Sequence, residues 1–244
     1  MLDKGHNCDD FDCGEESLND YLKHQAGQDV KRKLSACYVL ADGETKSVIG
    51  YYTLSNCSIP SGDLSEKIRK RLPASYKSIP TTLLGRLAID KKHQGKNYGK
   101  ILLIDALKRS WENSGLIASF AVVVDPIDEQ AANFYRKYDF IKLPDSKKMF
   151  VVMKTLDELF RPWFFSDFMS VFPEKARMSD DRREEFRSQE KHEIKSRKEK
   201  PASLKLISVM RHRMDSPETL FVRLFKFSYI SISRPFICNI SLNK

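Results

Sequence analysis

The chain has 244 residues, 41% of them hydrophobic, with 42 Lys and Arg against 33 Asp and Glu for a formal net charge of +9. Residues 1–160 hold 24 basic and 22 acidic side chains, and residues 161–244 hold 18 and 11, so the net charges of the two parts are +2 and +7. The length suits one domain with a real core plus an appendage, and the position of the charge excludes reading the first 160 residues as nucleic-acid binding from net charge alone.

Residues 17–33 have helical periodicity, with Leu18, Tyr21, Leu22 and Gln25 on one side and Glu15 and Glu16 near the start, where negative charge suits the helix dipole. Residues 35–40 and 48–55 read as strands joined by Asp42-Gly43, a hairpin signal. A short basic helix is predicted over 64–72, followed by Pro73, Pro80 and a strand over 82–89. Residues 98–113 predict a long helix closed by Gly115, and the nearly continuous apolar run 118–124 predicts a buried strand that Asp125-Pro126 stops. A helix over 129–137 and a strand over 148–153 complete an α/β (α+β) pattern, a mixed central sheet with flanking helices. We place a domain boundary at Phe160. Residues 161–244 are a basic, partly low-complexity C-terminal extension with no assigned fold: an aromatic-rich start, a mixed-charge run over 174–200 that fits a solvated helix or a disordered linker, and an apolar, basic end.

Five cysteines, Cys8, Cys13, Cys37, Cys57 and Cys238, form no Cys-x-x-Cys pair, which argues against zinc or redox chemistry and for a reduced, cytoplasmic protein. No metal is expected. The N-terminus lacks the apolar run of a signal peptide. The stretch nearest to a membrane span, 220–242, is broken by Arg223, Lys226 and Arg234, so no membrane association is expected.

The segment carrying chemistry runs from Leu84 to Trp111: a strand, a basic turn with Gly95 and Gly99, then an amphipathic helix. A turn that feeds a helix N-terminus presents unpartnered N–H groups and partial positive charge, which suits an anion. The glycines permit close approach and positive φ, and Lys91, Lys92, Lys96 and Lys100 add charge. Taken alone the segment reads equally well as a solvated basic loop. It is neither a Walker A loop nor a dinucleotide Gly-x-Gly-x-x-Gly, so nucleoside triphosphates and NAD are poor ligands for it.

Gln94-Gly95-Lys96-Asn97-Tyr98-Gly99 resembles the Gln/Arg-x-x-Gly-x-Gly/Ala signature of the GNAT N-acetyltransferase superfamily. Asn97 stands where the middle glycine usually sits, and Asn tolerates the left-handed region best after Gly. The runs Phe11 to Leu22, Val48 to Leu54 and Ala131 to Phe140 resemble the toxin branch of that superfamily, in type II toxin–antitoxin systems, over residues 3 to 156. Chains of this kind usually begin with a further strand, for which Met1-Leu2 leaves no room, so an incomplete sheet edge is expected.

The resemblance implies acetyl-CoA as co-substrate and the α-amine of aminoacyl-tRNA as acceptor, with translation blocked as the outcome. It implies that Gln94, Gly95, Lys96, Asn97, Tyr98, Gly99 and Lys100 hold the pyrophosphate. The strand before the turn is expected to splay at a bulge, with Leu87, Ala88 and Ile89 pairing with the pantetheine arm. Asn133 would bond the pantetheine amides, and Tyr135 would donate a proton to the thiolate. A phenol stays protonated at neutral pH, whereas an α-amine with pKa about 7.7–8.0, lowered further by a neighbouring ester, needs little base. No carboxylate pair marks a base, and His93, in the basic loop, reads as a phosphate or solvent contact. A ribbon-helix-helix antitoxin and a homodimer are the implied partners. The alternatives are an acetyltransferase of a small amine or protein terminus, and a non-catalytic CoA- or RNA-binding module.

Overall fold

Two adjacent tyrosines show how the sheet is covered. Tyr51 and Tyr52 alternate along one strand and are both fully buried, so each face of the sheet there carries its own core. The structure is a computed structural model that describes residues 1–160. The expectations for residues 161–244, including the extension and the 220–242 stretch, lie outside the described residues.

Strands β1 (Ala36–Ala41) and β2 (Val48–Pro60) form an antiparallel hairpin. Asp42 closes it by accepting hydrogen bonds from the N–H groups of Glu44 and Thr45 at 3.0 and 2.9 Å. β3 (Ser78–Ile89) pairs antiparallel with β2, β4 (Ala121–Val124) lies parallel to β3, and β6 (Met149–Val152) is antiparallel to β4. β5 (Ile141–Lys142), which the sequence pattern did not reveal, completes the order β1-β2-β3-β4-β6-β5. β3 begins four residues before the expected position and includes Pro80, opposite Ser58. Pro80 lies beyond the last pairing with β4, at an edge where the ladder tolerates a missing donor. β4 starts later than expected, because Ser119 turns its hydroxyl onto the Ala121 carbonyl and against Thr82.

The N-terminal helical stretch is α1 (Glu16–Asp20), a π-helical turn (Tyr21–Gln25) and α2 (Ala26–Lys31). A π-turn inserts one residue into the helical repeat. The buried side is therefore Tyr21, Leu22 and Ala26, and Gln25, expected on that side, is exposed. These residues pack with Phe11, Tyr51 and Ala88 on one face of the sheet. On the opposite face α4 (Tyr98–Ser114) and α5 (Glu129–Arg136) pack through Leu102, Leu103, Leu107 and Tyr135 against Tyr52, Leu84 and Val122, with a helix over 153–160 adding Leu156. Gly115 caps α4, and Asp128 caps α5 by accepting from the Ala131 N–H at 2.6 Å. The expected basic helix over 64–72 contracts to α3 (Glu66–Arg69).

The outer edge of β1 is met by the Leu2 N–H on the Cys37 carbonyl at 2.8 Å, and Asn7 bridges to Ser47. Residues 2–7 thus run beside the hairpin without forming a seventh strand.

Candidate active site

β3 and β4 diverge. They pair only from Thr82 to Leu84 with Val122 to Val124, while β3 runs on to Ile89. At the point of divergence the register with β2 slips: Leu54 faces Leu84, Thr53 faces Arg86, and Gly85 is left unpaired. That is a β-bulge, which bends the strand and frees its far side. The Asp90 N–H donates to the Ile49 carbonyl at 2.9 Å. Alternation then turns the main chains of Ala88 and Arg86 toward β2 and those of Leu87 and Ile89 toward the free edge.

The turn that follows is braced from the N-terminal segment. Buried Asp90 accepts from the N–H groups of Lys92 (2.9 Å) and Asp12 (3.1 Å). Burial opposes its ionisation, but these two donors and nearby cations outweigh burial, and its pKa lies below the usual value. The Lys91 N–H donates to the Asp12 carbonyl at 2.8 Å, and its ammonium pairs with the Asp12 carboxylate at 2.9 Å. That bond, with the Gly14 N–H and the Asn19 amide, lowers the Asp12 pKa to about 2. The Gln94 amide donates to the carbonyls of Cys13 (3.0 Å) and Ile89 (3.1 Å). Side chains that the sequence assigned to an anion therefore divide: Gln94 and Lys91 hold the turn together, while Lys96 stays exposed.

Gly95 has φ +75° and Asn97 has φ 63° and ψ 10°, so Asn97 takes the left-handed conformation expected of it. α4 begins at Tyr98, and among the described residues no side-chain hydrogen bond from Asn97 caps it. A Cβ on Gly99 would meet nothing closer than Ile89 and Phe134 at 3.9 Å. Ile89 on the free edge, Gly99 at the start of α4 and Phe134 on α5 therefore lie together at the helix N-terminus, and a Cβ on Gly95 would meet nothing within 4 Å. These features fit a ligand with a pyrophosphate and an extended amide arm.

Tyr135 is buried on α5 between the rings of Phe134 and Phe140, at 5.4 and 5.2 Å. Burial raises its pKa above that of an ordinary phenol. Among the described residues no hydrogen bond engages its hydroxyl. Asn133 is exposed and its Oδ1 accepts from Arg136 at 2.6 Å. His93 turns away, its Nδ1 3.6 Å from Asp90, beside a cavity of about 350 Å³ that Asn7, Asp42, Glu44, Thr45 and Lys92 also line. Lys92 thus lies on the side of the turn away from the free edge. The bracing residues Asp12 and Asp90 were missed from sequence, because neither belongs to the glycine turn. Among the described residues no group of three His, Cys, Asp or Glu side chains is placed to hold a metal, and no helix is long and apolar enough to cross a membrane.

A family model described as "Acetyltransferase (GNAT) domain" matches residues 33–142. The tRNA-acetylating toxin of Mycobacterium tuberculosis (strain ATCC 25618 / H37Rv) is 34% identical over 146 residues, 59% of this chain and 84% of that protein. The structure of AtaT complexed with acetyl-methionyl-tRNAfMet is similar with a TM-score of 0.61 at 32% identity, covering 65% of this chain and 94% of that one. A tyrosine-to-phenylalanine mutant of AtaT, bound to the C-terminus of the antitoxin AtaR and acetyl-CoA, gives a TM-score of 0.55 at 29% identity over 64% and 91% of the two chains.

Proposed function

The chain belongs to the GNAT acetyltransferase family, and from that premise we propose that it transfers acetyl from acetyl-CoA to the α-amine of aminoacyl-tRNA and so acts as a translation-blocking toxin. The observation that carries this reading is the free edge of β3, running from the Gly85 bulge into the turn before α4, with Tyr135 on the helix beside it. The relative from M. tuberculosis supplies the acceptor class.

Acetyl-CoA supplies an activated acyl group as a thioester. The main chain of Leu87 and the N–H of Ile89, whose carbonyl is taken by Gln94, suit an extended arm added along β3, and an N–H on that edge serves as oxyanion donor. Ala88 contributes the packing that seats this strand on β2. Gly95 and Asn97 shape the turn, Gly99 leaves space beside it, and Lys96 and the α4 N-terminus supply positive charge for the pyrophosphate. The phenol of Tyr135, kept neutral by burial, hands a proton to the departing sulfur. The proton lost by the acylated nitrogen balances the one gained by sulfur, so the phenol is a relay and no net base is consumed. An α-amine with pKa about 7.7–8.0 is substantially neutral at physiological pH, so the reaction needs little base.

We carry three finer elements as parts of the same proposal: an antitoxin of ribbon-helix-helix type, a homodimer, and a cytoplasmic location. AtaT bound to AtaR supports an antitoxin partner. We likewise propose a domain boundary at Phe160 and a contact of Asn133 with the pantetheine amides.

The test is the mass of the product after incubation with acetyl-CoA and total charged tRNA. The expected result is an acetyl group on the aminoacyl end. Acetylation of a small amine or protein with no gain on charged tRNA would refute the acceptor, and calorimetry with acetyl-CoA that shows no binding would refute the enzyme.

A further inference from the structure

We infer that Arg86 is a specificity-determining residue that receives a backbone phosphate at the acceptor end of the nucleic acid, an inference that rests on the aminoacyl-tRNA reading above. Arg86 follows the bulge directly, opposite Thr53. Its side chain falls on the same face of the sheet as Ala88, beneath α1 and α2, and its guanidinium carbon stands 3.5 Å from the centroid of the Tyr21 ring. That ring is a firm platform: Tyr21 is buried, its hydroxyl donates to Asp29 at 3.1 Å, and it stacks on Tyr51 at 6.3 Å.

The ring satisfies the face of the guanidinium and none of the N–H donors at its rim. Among the described residues no hydrogen bond or ion pair engages those donors. A planar fork held flat, half-buried and unpaired matches a phosphate, which takes two parallel N–H bonds.

Its place relative to the chemistry supplies the rest. An arm that lies along Leu87 and Ile89 from the turn at Gly95 to Gly99 brings its acyl end toward Gly85 and Arg86. Tyr135 belongs to the core on the opposite face. The acid and the cation therefore flank the free edge from its two sides, and the side of Arg86 is left for the incoming amine. An amine esterified to the terminal ribose of a nucleic acid brings that nucleotide's phosphate with it. A free amine brings nothing for Arg86 to bind.

The experiment compares the full chain with Arg86→Gln and Arg86→Lys, after thermal melting shows all three folded. With charged tRNA, Arg86→Gln is expected to raise KM about 10- to 100-fold, the range for one charged hydrogen-bonded contact, with kcat kept. Its rate should lose about one unit of slope against the logarithm of salt concentration. Its Kd for acetyl-CoA, and its rate on an aminoacyl nucleoside that ends before the phosphate, should match those of the parent chain. Arg86→Lys retains the charge without the fork and should fall between. An unchanged KM and salt slope for Arg86→Gln would overturn the inference, as would an equal loss on the aminoacyl nucleoside, which a merely structural role predicts. If Arg86→Gln fails to fold, Arg86→Lys with an unchanged KM overturns it. A parent chain inactive on charged tRNA would instead overturn the function on which the inference rests.

Discussion

Tyr135→Phe separates chemistry from packing because it removes the acid and keeps the ring. The ring stays between Phe134 and Phe140 at 5.4 and 5.2 Å, so the substitution removes one oxygen and no apolar contact. The hydroxyl makes no hydrogen bond among the described residues and is not sealed from solvent, so its removal should change stability by less than about 1 kcal/mol. For a domain of this size each 1 kcal/mol moves the melting temperature by about 2–4 °C, so the shift should stay within that range. General-acid catalysis contributes about 10²- to 10⁴-fold, so kcat should fall by that factor, a barrier increase of about 2.7–5.4 kcal/mol. Single-turnover acetylation of charged tRNA read by mass, thermal melting, and calorimetry with acetyl-CoA give the three numbers. A loss of kcat smaller than tenfold, or a loss accompanied by a melting temperature several degrees lower, would refute the role.

Other consequences of the site can be measured in the same assays. Because burial raises the pKa of Tyr135, it remains a proton donor past the point where an ordinary phenol begins to ionise, and kcat should show no alkaline loss up to about pH 10; a falling limb centred below that, removed in Tyr135→Phe, would contradict this. Asn97 already sits at φ 63°, so Asn97→Gly should change the Kd for acetyl-CoA by less than about threefold, and a tenfold gain in a titration would show strain that the backbone does not carry. Gly99→Ala meets no protein atom nearer than 3.9 Å, so its melting temperature should stay the same while acetyl-CoA affinity falls; a lower melting temperature would place the clash within the protein. The Asp12 carboxylate has its pKa lowered from 3.8 to about 2, so its stabilising contribution is present above about pH 4 and is lost as pH falls through 2. Acid melts of the parent chain and Asp12→Asn should therefore differ above pH 4 and converge below pH 2, and curves that stay parallel would exclude the Asp12–Lys91 pair as the cause.

The alternation of strands and helices was visible in the sequence because each element carries its own period of apolar residues. The glycine turn was visible for the same reason: Gly95, Asn97 and the start of α4 are neighbours along the chain, and a positive φ at Asn97 is a property of that residue in that turn. The π-turn was not, since one inserted residue leaves the run of apolar positions nearly unchanged while moving Gln25 out to solvent and Ala26 into the core. β5, two residues long, is too short to show a period at all.

What the sequence by itself determined was the turn with its positive φ, the helix behind it and the helix that carries Tyr135, each set by residues within a few positions of one another. Only the tertiary structure decided that Asp12 and Cys13 clasp the turn from 78 and 81 residues away through Asp90 and Gln94, that Lys91 is taken up by this clasp, and that Arg86 lies on Tyr21 with no ion pair among the described residues. Local periodicity and turn chemistry are properties of a few consecutive residues, whereas the partner of a charge is whichever group the packing of the sheet brings to it.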